Sequence, residues 1–423
     1  MRILNLLLVS STLFLVGVSL SLISPFYPTE ALAKGVTVSH TGLVIGTMFI
    51  TVVLSTPLFG KYIEKLGARR FLILGSFLIG SGNFVFGFLS FVQNTAAFFS
   101  LSIIIRFVIA LGDSAVGPAA FTLAGKQVGE KHKGRALAGA EASFAVGTMF
   151  GPTIGGCLYD LGGFSLPFFV TGIVMMLLSV VSIFCFSDNK SDKKNNDNAK
   201  SISWMDLLKT SGVPVGVFSI VFAGIAKRWY AASLGPFLKN IYNLSSSEIG
   251  LVFMPFGLAY SLLAPLVGFL TDKVLPGLLT IIIGGSLIAV SLFLIGPIPQ
   301  LVPLIGHHLW LTVTSIGLQG VGSAFAYIGT LVYMTKQVMV SSLPKSDQAH
   351  AMVSSLWLAF ECLGCFIGST LGSFSFDSLG FEMGTLIIAS SMCGSVIMVA
   401  LYFLWFQSNH NHQAEYEGLE NEE

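Results

Sequence analysis

The sequence predicts an all-α membrane protein whose twelve transmembrane helices form two six-helix bundles. Three observations predict it. Of 423 residues 53% are hydrophobic and only 10% charged, whereas soluble domains carry about a quarter charged residues. Apolar runs recur at the length of roughly 20 residues that crosses a bilayer as a helix, and lipid supplies no water to free backbone groups, so such runs must be helical. One long polar segment, Asp188 to Lys209, then splits the chain into six runs and six runs. The expected organisation is an N-terminal bundle at 1–186, a cytosolic linker at 187–210, a C-terminal bundle at 211–406 and a disordered cytosolic tail at 407–423.

The runs lie near 5–27, 39–60, 71–93, 97–121, 136–158, 164–186, 212–236, 249–270, 277–296, 309–335, 351–374 and 383–406. Met1 to Tyr27 lacks a small-residue cleavage site and reads as a first span rather than a signal peptide. Spans two and three enclose the basic stretch ending in Arg69 and Arg70. Span four carries Arg106 and Asp113, span five carries Glu141, and span six leads into the linker. Span seven holds Lys227 and Arg228, and span eight ends beside Asp272 and Lys273. The ninth has a soft start, and the tenth is long enough to be tilted or broken near Gly320 and Gly322. Span eleven carries Glu361, and span twelve precedes an acidic tail without apolar periodicity, which predicts disorder.

The most informative motif is Gly147-Thr-Met-Phe-Gly151-Pro152-Thr-Ile-Gly155-Gly156 in span five. Gly147, Gly151 and Gly155 share one helix face, where missing side chains let a neighbouring helix approach closely. Pro152 removes one helical hydrogen bond and invites a kink. A helix of this kind suits a span that rocks against a partner; its plainer reading is tight packing.

The two halves repeat. Gly147, Gly151, Gly155, Asp160, Gly163 and Phe164 are echoed at a constant offset of 217 by Gly364, Gly368, Gly372, Asp377, Gly380 and Phe381. Gly60, Glu64, Lys65, Gly67, Arg69 and Arg70 after span two are echoed by Gly268, Asp272 and Lys273 after span eight. Duplication in a membrane carrier places the substrate site between the halves, near the bilayer midplane.

With the N-terminus cytosolic, that side receives Arg2, Lys61, Lys65, Arg69, Arg70, Lys126, Lys131, Lys133, Arg135, Lys190, Lys193, Lys194, Lys200, Lys209, Lys273, Lys336 and Lys345. The other side receives Lys34 and Lys239. Seventeen against two is a strong positive-inside bias and sets both termini in the cytosol. A net charge of +1 argues against nucleic acid as a partner. All five cysteines fall in spans, which argues against a disulfide framework. No GxxxxGK(S/T) loop is present, so ATP-driven pumping is not expected, and neither a cofactor nor a metal site is expected.

Six charged residues fall inside spans: Arg106, Asp113, Glu141, Lys227, Arg228 and Glu361. A charge in the bilayer costs at least ~2.5 kcal/mol, so each is a functional candidate. Glu141 is the first choice for a proton-coupling carboxylate, with Glu361, Arg106 and Asp113 as partners; the alternative is a permanent structural pair with Arg106. Arg106 and Asp113 are seven residues apart, on one face yet too distant for a direct bond. Lys227 and Arg228 point about 100° apart, so one serves the cavity and the other snorkels or caps. Tyr27, Trp229, Tyr230 and Tyr327, with Phe26 and Trp357, are candidates for a cage around a cationic substrate; the plainer reading is core or lipid-facing packing. His307 and His308 flank span ten as interfacial residues.

In these motifs the chain resembles the major facilitator superfamily. The loop after span two is similar to that family's cytosolic GxxxD(R/K)xG(R/K)(R/K) signature, with Glu64 in place of Asp. Span five resembles its antiporter signature, and Arg106 resembles the arginine of its fourth-span RxxQG motif, with Ile109 in place of Gln. More narrowly, Pro25-Phe-Tyr-Pro28, Glu141 and Gly-Leu-Val-Phe at 250–253 are similar to the vesicular amine transporters, especially their polyamine branch. That resemblance implies exchange of organic amines for protons at a vesicular or endolysosomal membrane, with the plasma membrane as the other possibility. Two departures bear on the substrate: span one has no acidic residue, and Ala232 stands where the polyamine branch has an acid in span seven.

The resulting expectation is a carrier working by alternating access, with a small organic molecule and protons as its partners. Proton-driven amine antiport leads. An organic anion or amphipathic drug bound by Arg106 and Lys227 or Arg228 is the alternative, and a non-transporting sensor is the third. Tyr416-Glu-Gly-Leu419 resembles a tyrosine-based endosomal sorting signal.

Overall fold

The computed structural model describes residues 2–128, 133–186, 204–296, 302–341 and 347–420. Most of the linker, including Lys190 to Lys200, lies outside the described residues, as do Lys131 and Lys345. The first half comprises α1 (Arg2–Ser21), α2 (Tyr27–Ala33), α3 (Val38–Leu66), α4 (Ala68–Gly87), α5 (Thr95–Lys126), α6 (Lys133–Gly162) and α7 (Ser165–Cys185). The second comprises α8 (Trp204–Leu208), α9 (Val213–Arg228), α10 (Leu234–Tyr242), α11 (Ser246–Lys273), α12 (Gly277–Ile295), α13 (Val302–Ile305), α14 (Leu309–Val340), α15 (Asp347–Leu379) and α16 (Phe381–Glu420).

Ten of these helices are long and apolar enough to cross a membrane by length and composition. The other two spans are α6, whose ends are polar, and α9, which is only 16 residues long and resumes as α10 after a break. Twelve spans in two bundles result, and the protein is an integral multi-pass membrane protein.

Local chemistry sets the boundaries. Asn94 caps α5 by accepting from the Ala97 amide at 2.9 Å, and Ser245 with Glu248 forms a complete capping box on α11. Gly163 and Gly380 both take positive φ, 67° and 83°, directly after α6 and α15. That left-handed cap suits glycine and turns the chain sharply into the next helix.

Packing repeats as the sequence does. In the first half α1 lies on α6, α4 on α5 and α7, and α3 on α5. In the second half α9 lies on α15, α12 on α14 and α16, and α11 on α14. Across the halves α6 packs on α11 and α15 on α3. The glycine stripes explain the first pair in each set. A Cβ at Gly147, Gly151 or Gly155 would run into the backbone or side chains of Phe14, Val18 and Ser21 on α1 and of Leu22 just past its end. Gly364, Gly368 and Gly372 meet the carbonyls of Val221 and Ile225 on α9 and of Trp229 just past its end in the same way. Gly156 instead faces Ser246 and Ser247 of α11, in the opposite half.

Three expectations are corrected. Span ten is one unbroken helix, α14; its glycines serve close approach, Gly320 to the Phe256 backbone on α11 and Gly322 to Gly284 and Ile288 on α12. The tail was expected to be disordered, yet α16 continues to Glu420. Its tail residues are free of proline, so they extend an existing helix without a new nucleation cost. Spans one and seven are not single helices: α1 gives way to α2 across 22–26, and α9 to α10 across 229–233. Pro25 and Pro28 interrupt the first ladder, while Gly235-Pro236 opens the resumed helix of the second.

Candidate functional site: a charged centre between the bundles

The two breaks fall at corresponding places in the halves and meet. A Cβ at Gly235 would lie in contact with the Ser24 and Pro25 carbonyls. Discontinuous helices at equivalent positions of two repeats mark the substrate region of carriers. Just inside the second break, on the last turn of α9, stands Lys227.

Lys227 Nζ lies 3.0 Å from Glu361 Oε1 on α15 and 4.8 Å over the Tyr327 ring on α14. The Tyr327 hydroxyl is 3.5 Å from the same carboxylate oxygen, and the thiol of Cys365 is 3.4 Å from it. Trp357 meets Tyr327 edge-on at 5.7 Å. Glu361 is 7% exposed, so its charge is matched by a cation and a ring face rather than by solvent. Glu141 reaches this group from α6: the charges whose fields it feels are Lys227 and Glu361. Glu141 itself is exposed, so the two glutamates, from opposite bundles, differ: Glu361 holds the lysine directly, and Glu141 feels the pair only through its field.

Arg106 and Asp113 occupy a second place, inside the first bundle. Arg106 is 1% exposed, and none of its three guanidinium nitrogens has a hydrogen-bond partner among the described residues. It feels Tyr27, Asp113 and Arg228 as charged or polar neighbours, and its guanidinium carbon lies 6.0 Å over the Phe86 ring. Arg228, one residue after Lys227, turns the other way, to 5.0 Å over Phe49 on α3. Adjacent cations on α9 therefore serve different halves.

The aromatic residues do not form one cage. Tyr27 is 0% exposed and sits in the first-half core between Phe86 and Phe98. Trp229 and Tyr327 belong to a second-half cluster, and Tyr230 to a third, where it stacks on Phe253. Only Tyr327 of the four stands beside the ion pair. His307 pairs with Glu382 at 3.1 Å, as befits an interfacial position.

The halves are joined at the end opposite the chain termini. Asp160 Oδ2 accepts from the Ser247 amide at 2.7 Å and from its hydroxyl at 2.5 Å. Asp377 Oδ2 does the same for Ser39, at 2.7 and 2.6 Å. Thr153 adds a bond to the Gly250 carbonyl. The hydrogen bonds that join the halves among the described residues thus gather at the end away from the termini. Of the loop signatures, Arg69 donates to the Ile183 carbonyl at 2.7 Å, tying α4 to the end of α7. Gly67 takes positive φ at the start of α4, Arg70 is exposed, and Lys273 lies over Phe269. The side chains of Glu64 and Asp272, and the surroundings of Gly60, lie outside the described residues.

Two repeated helical bundles with a charged centre between them define a membrane carrier, not an enzyme. The chain belongs to the Major Facilitator Superfamily: a sequence model of that family matches residues 9–226 and again 216–419. It is 28% identical over 390 residues to the MFS-type transporter SLC18B1 of Rattus norvegicus, covering 92% of this chain and 84% of that one. The Homo sapiens transporter of the same name is 26% identical, covering 95% and 87%. The multi-drug resistance efflux pump PmrA of Streptococcus pneumoniae is 27% identical over 62% of this chain and 65% of its own. Among solved structures, a bacterial homologue of the human lysosomal transporter Spinster, inward-facing and occupied, matches with a TM-score of 0.75 at 15% identity, covering 95% and 96% of the two chains. That likeness concerns the fold.

Proposed function

We propose that this carrier exchanges organic amines for protons by alternating access, with Glu361 as the seat of the substrate ammonium and Glu141 as the proton-coupling carboxylate. The observation that carries the reading is the pairing of buried Glu361 with an ammonium 3.0 Å away, under the face of Tyr327. A carboxylate backed by an aromatic face is the chemistry that recognises an alkylammonium ion. Resemblance to the vesicular amine carriers supports the same class.

Antiport follows from sharing one electrostatic centre. A cation entering beside Glu361 raises the cost of further positive charge nearby and drives the proton from Glu141. Proton return from the far side then restores the empty state. Glycines at the contacts between the halves, Gly156 and Gly250 where α6 meets α11 and Gly42 where α3 meets α15, let the bundles approach and rock with few side chains in the way. Both termini are assigned to the cytosol on the lysine and arginine bias, so the end held by Asp160 and Asp377 faces away from the cytosol, and a vesicular or endolysosomal membrane is the expected compartment.

The test is uptake into proteoliposomes of spermidine, a monoamine and an organic anion, each with and without an imposed pH gradient. Amine uptake driven by an acidic interior supports the reading. Gradient-independent anion uptake points to the second one, which the unbonded guanidinium of Arg106 and its neighbour Arg228 favour.

A further inference from the structure

We propose that Lys227 is a tethered stand-in for the substrate: its own ammonium fills the seat made by Glu361 and Tyr327, and an incoming amine must displace it. The inference rests on the amine reading above and says what an amine competes with in the empty carrier.

The seat is complete for a primary ammonium. Nζ of Lys227 has the carboxylate at 3.0 Å on one side and the Tyr327 ring at 4.8 Å on the other. A substrate amine that used the same two groups would overlap it atom for atom. The members of the pair differ in freedom: the lysine side chain is 27% exposed and the glutamate 10%. Lysine carries its charge on a flexible four-carbon stem, and here that stem springs from the last turn of α9, two residues before the break at 229–233. Glu361, in contrast, sits mid-helix in α15. The lysine is the part that moves.

A displaced lysine has a destination. Glu141 lies on α6, which packs on α11 across the interface, and Tyr260 of α11 stands 6.3 Å from the Tyr327 ring of the seat; Glu141 feels the field of Lys227 from there. The groups facing Glu141 are Lys227 from α9, Glu361 from α15 and Tyr260 from α11. Of the other helices on α6, α5 brings Arg106 and Asp113, which interact with each other, and Lys126 at its far end, and α1 and α7 bring no charge beyond Arg2 at the chain start. Lys227 can settle at Glu141 only once that carboxyl has released its proton to the water of the cavity. Amine arrival at Glu361 and proton departure from Glu141 thereby become the two ends of one lysine swing. A neutral isostere of the amine has no charge with which to replace the tether, so it is rejected.

The experiment measures amine affinity and KM for purified protein in proteoliposomes. Lys227→Met removes the competitor, and the amine KM and Kd are expected to fall about tenfold, the ordinary scale of coupling between two linked binding events, while accumulation against a gradient is lost. Lys227→Arg keeps the charge but grips the carboxylate through a two-pronged fork, so the amine KM rises several-fold; this variant decides the matter if Lys227→Met fails to fold. The charge-balanced pair Lys227→Met with Glu361→Gln loses saturable amine binding. A wild-type KM in both single variants, or tight amine binding that survives in the pair, overturns the tether while leaving amine transport intact. Wild-type protein that carries the organic anion and no amine overturns both readings together.

Discussion

Asp160 at the end of α6 holds Ser247 at the start of α11 by two hydrogen bonds, one to its amide at 2.7 Å and one to its hydroxyl. It thereby caps a helix of the opposite bundle. Asp377, at the same offset in the second half, caps α3 through Ser39. A carboxylate at a helix N-terminus satisfies an orphan amide and opposes the positive end of the helix dipole. Two such clasps, related by the internal repeat, hold the space between the bundles shut on this side.

Removing the clasps therefore favours the opposite state. Each cap is worth about 0.5–2 kcal/mol, enough to shift a balanced two-state carrier several-fold. Asp160→Asn combined with Asp377→Asn is expected to raise the labelling rate of a cysteine placed at Ser247 by a membrane-impermeant reagent applied from that side. Equal labelling in wild type and double variant excludes the gate role.

Glu141→Gln keeps the shape and hydrogen-bonding capacity of the side chain but not its proton chemistry. Uptake driven by a pH gradient should vanish, whereas amine–amine exchange and protein level persist. Wild-type accumulation in this variant would end the coupling assignment.

The close approach of α6 to α1 makes a second, substrate-independent forecast. Leucine at Gly151 would drive into Ser21 and the Val18 carbonyl, an overpacking that costs about 1–3 kcal/mol and forces α6 away from α1 within the first bundle. Transport of any substrate should stop. Gly394→Leu, placed where nothing lies within 4 Å, serves as the control and should transport normally. Matching rates in the two variants would refute the packing account.

Substrate valence follows from counting carboxylates. With Glu141 reserved for the proton, Glu361 is left as the one seat for a cationic group, so a monoamine should be carried at least as well as spermine. Initial rates at equal concentration decide this, and a clear preference for spermine argues for a further acidic contact.

Much of this was readable in the sequence, for specific reasons. Lipid forces hydropathy and helix to coincide, so span positions followed from composition alone. The glycine stripes and their offset of 217 announced close approach twice over, although a stripe does not say which helix approaches; that α1 and α9 do so required the structure. The breaks at 22–26 and 229–233 escaped because a 20-residue window averages across them, though Pro25, Pro28 and Gly235-Pro236 were visible. The ion pair of Lys227 with Glu361 spans 134 positions and leaves no local pattern. Tyr27 was misplaced for a related reason: in a chain that is 12% aromatic, residue type does not distinguish a wall of the cavity from the middle of a bundle.

Where α1 and α9 lose their helical ladders, peptide groups are exposed that lipid could not satisfy. The two gaps are tolerable because they abut, with Gly235 admitting the carbonyls of Ser24 and Pro25. This contact is thus a fulcrum as well as a flaw. Backbone freed from its ladder can rotate at low cost, and a small turn here is passed to α6 and α15, the long helices packed on α1 and α9, as a wider movement at the end that carries the termini. Swapping sides of the membrane need not bend any long helix; it asks only that two short unwound segments pivot on each other.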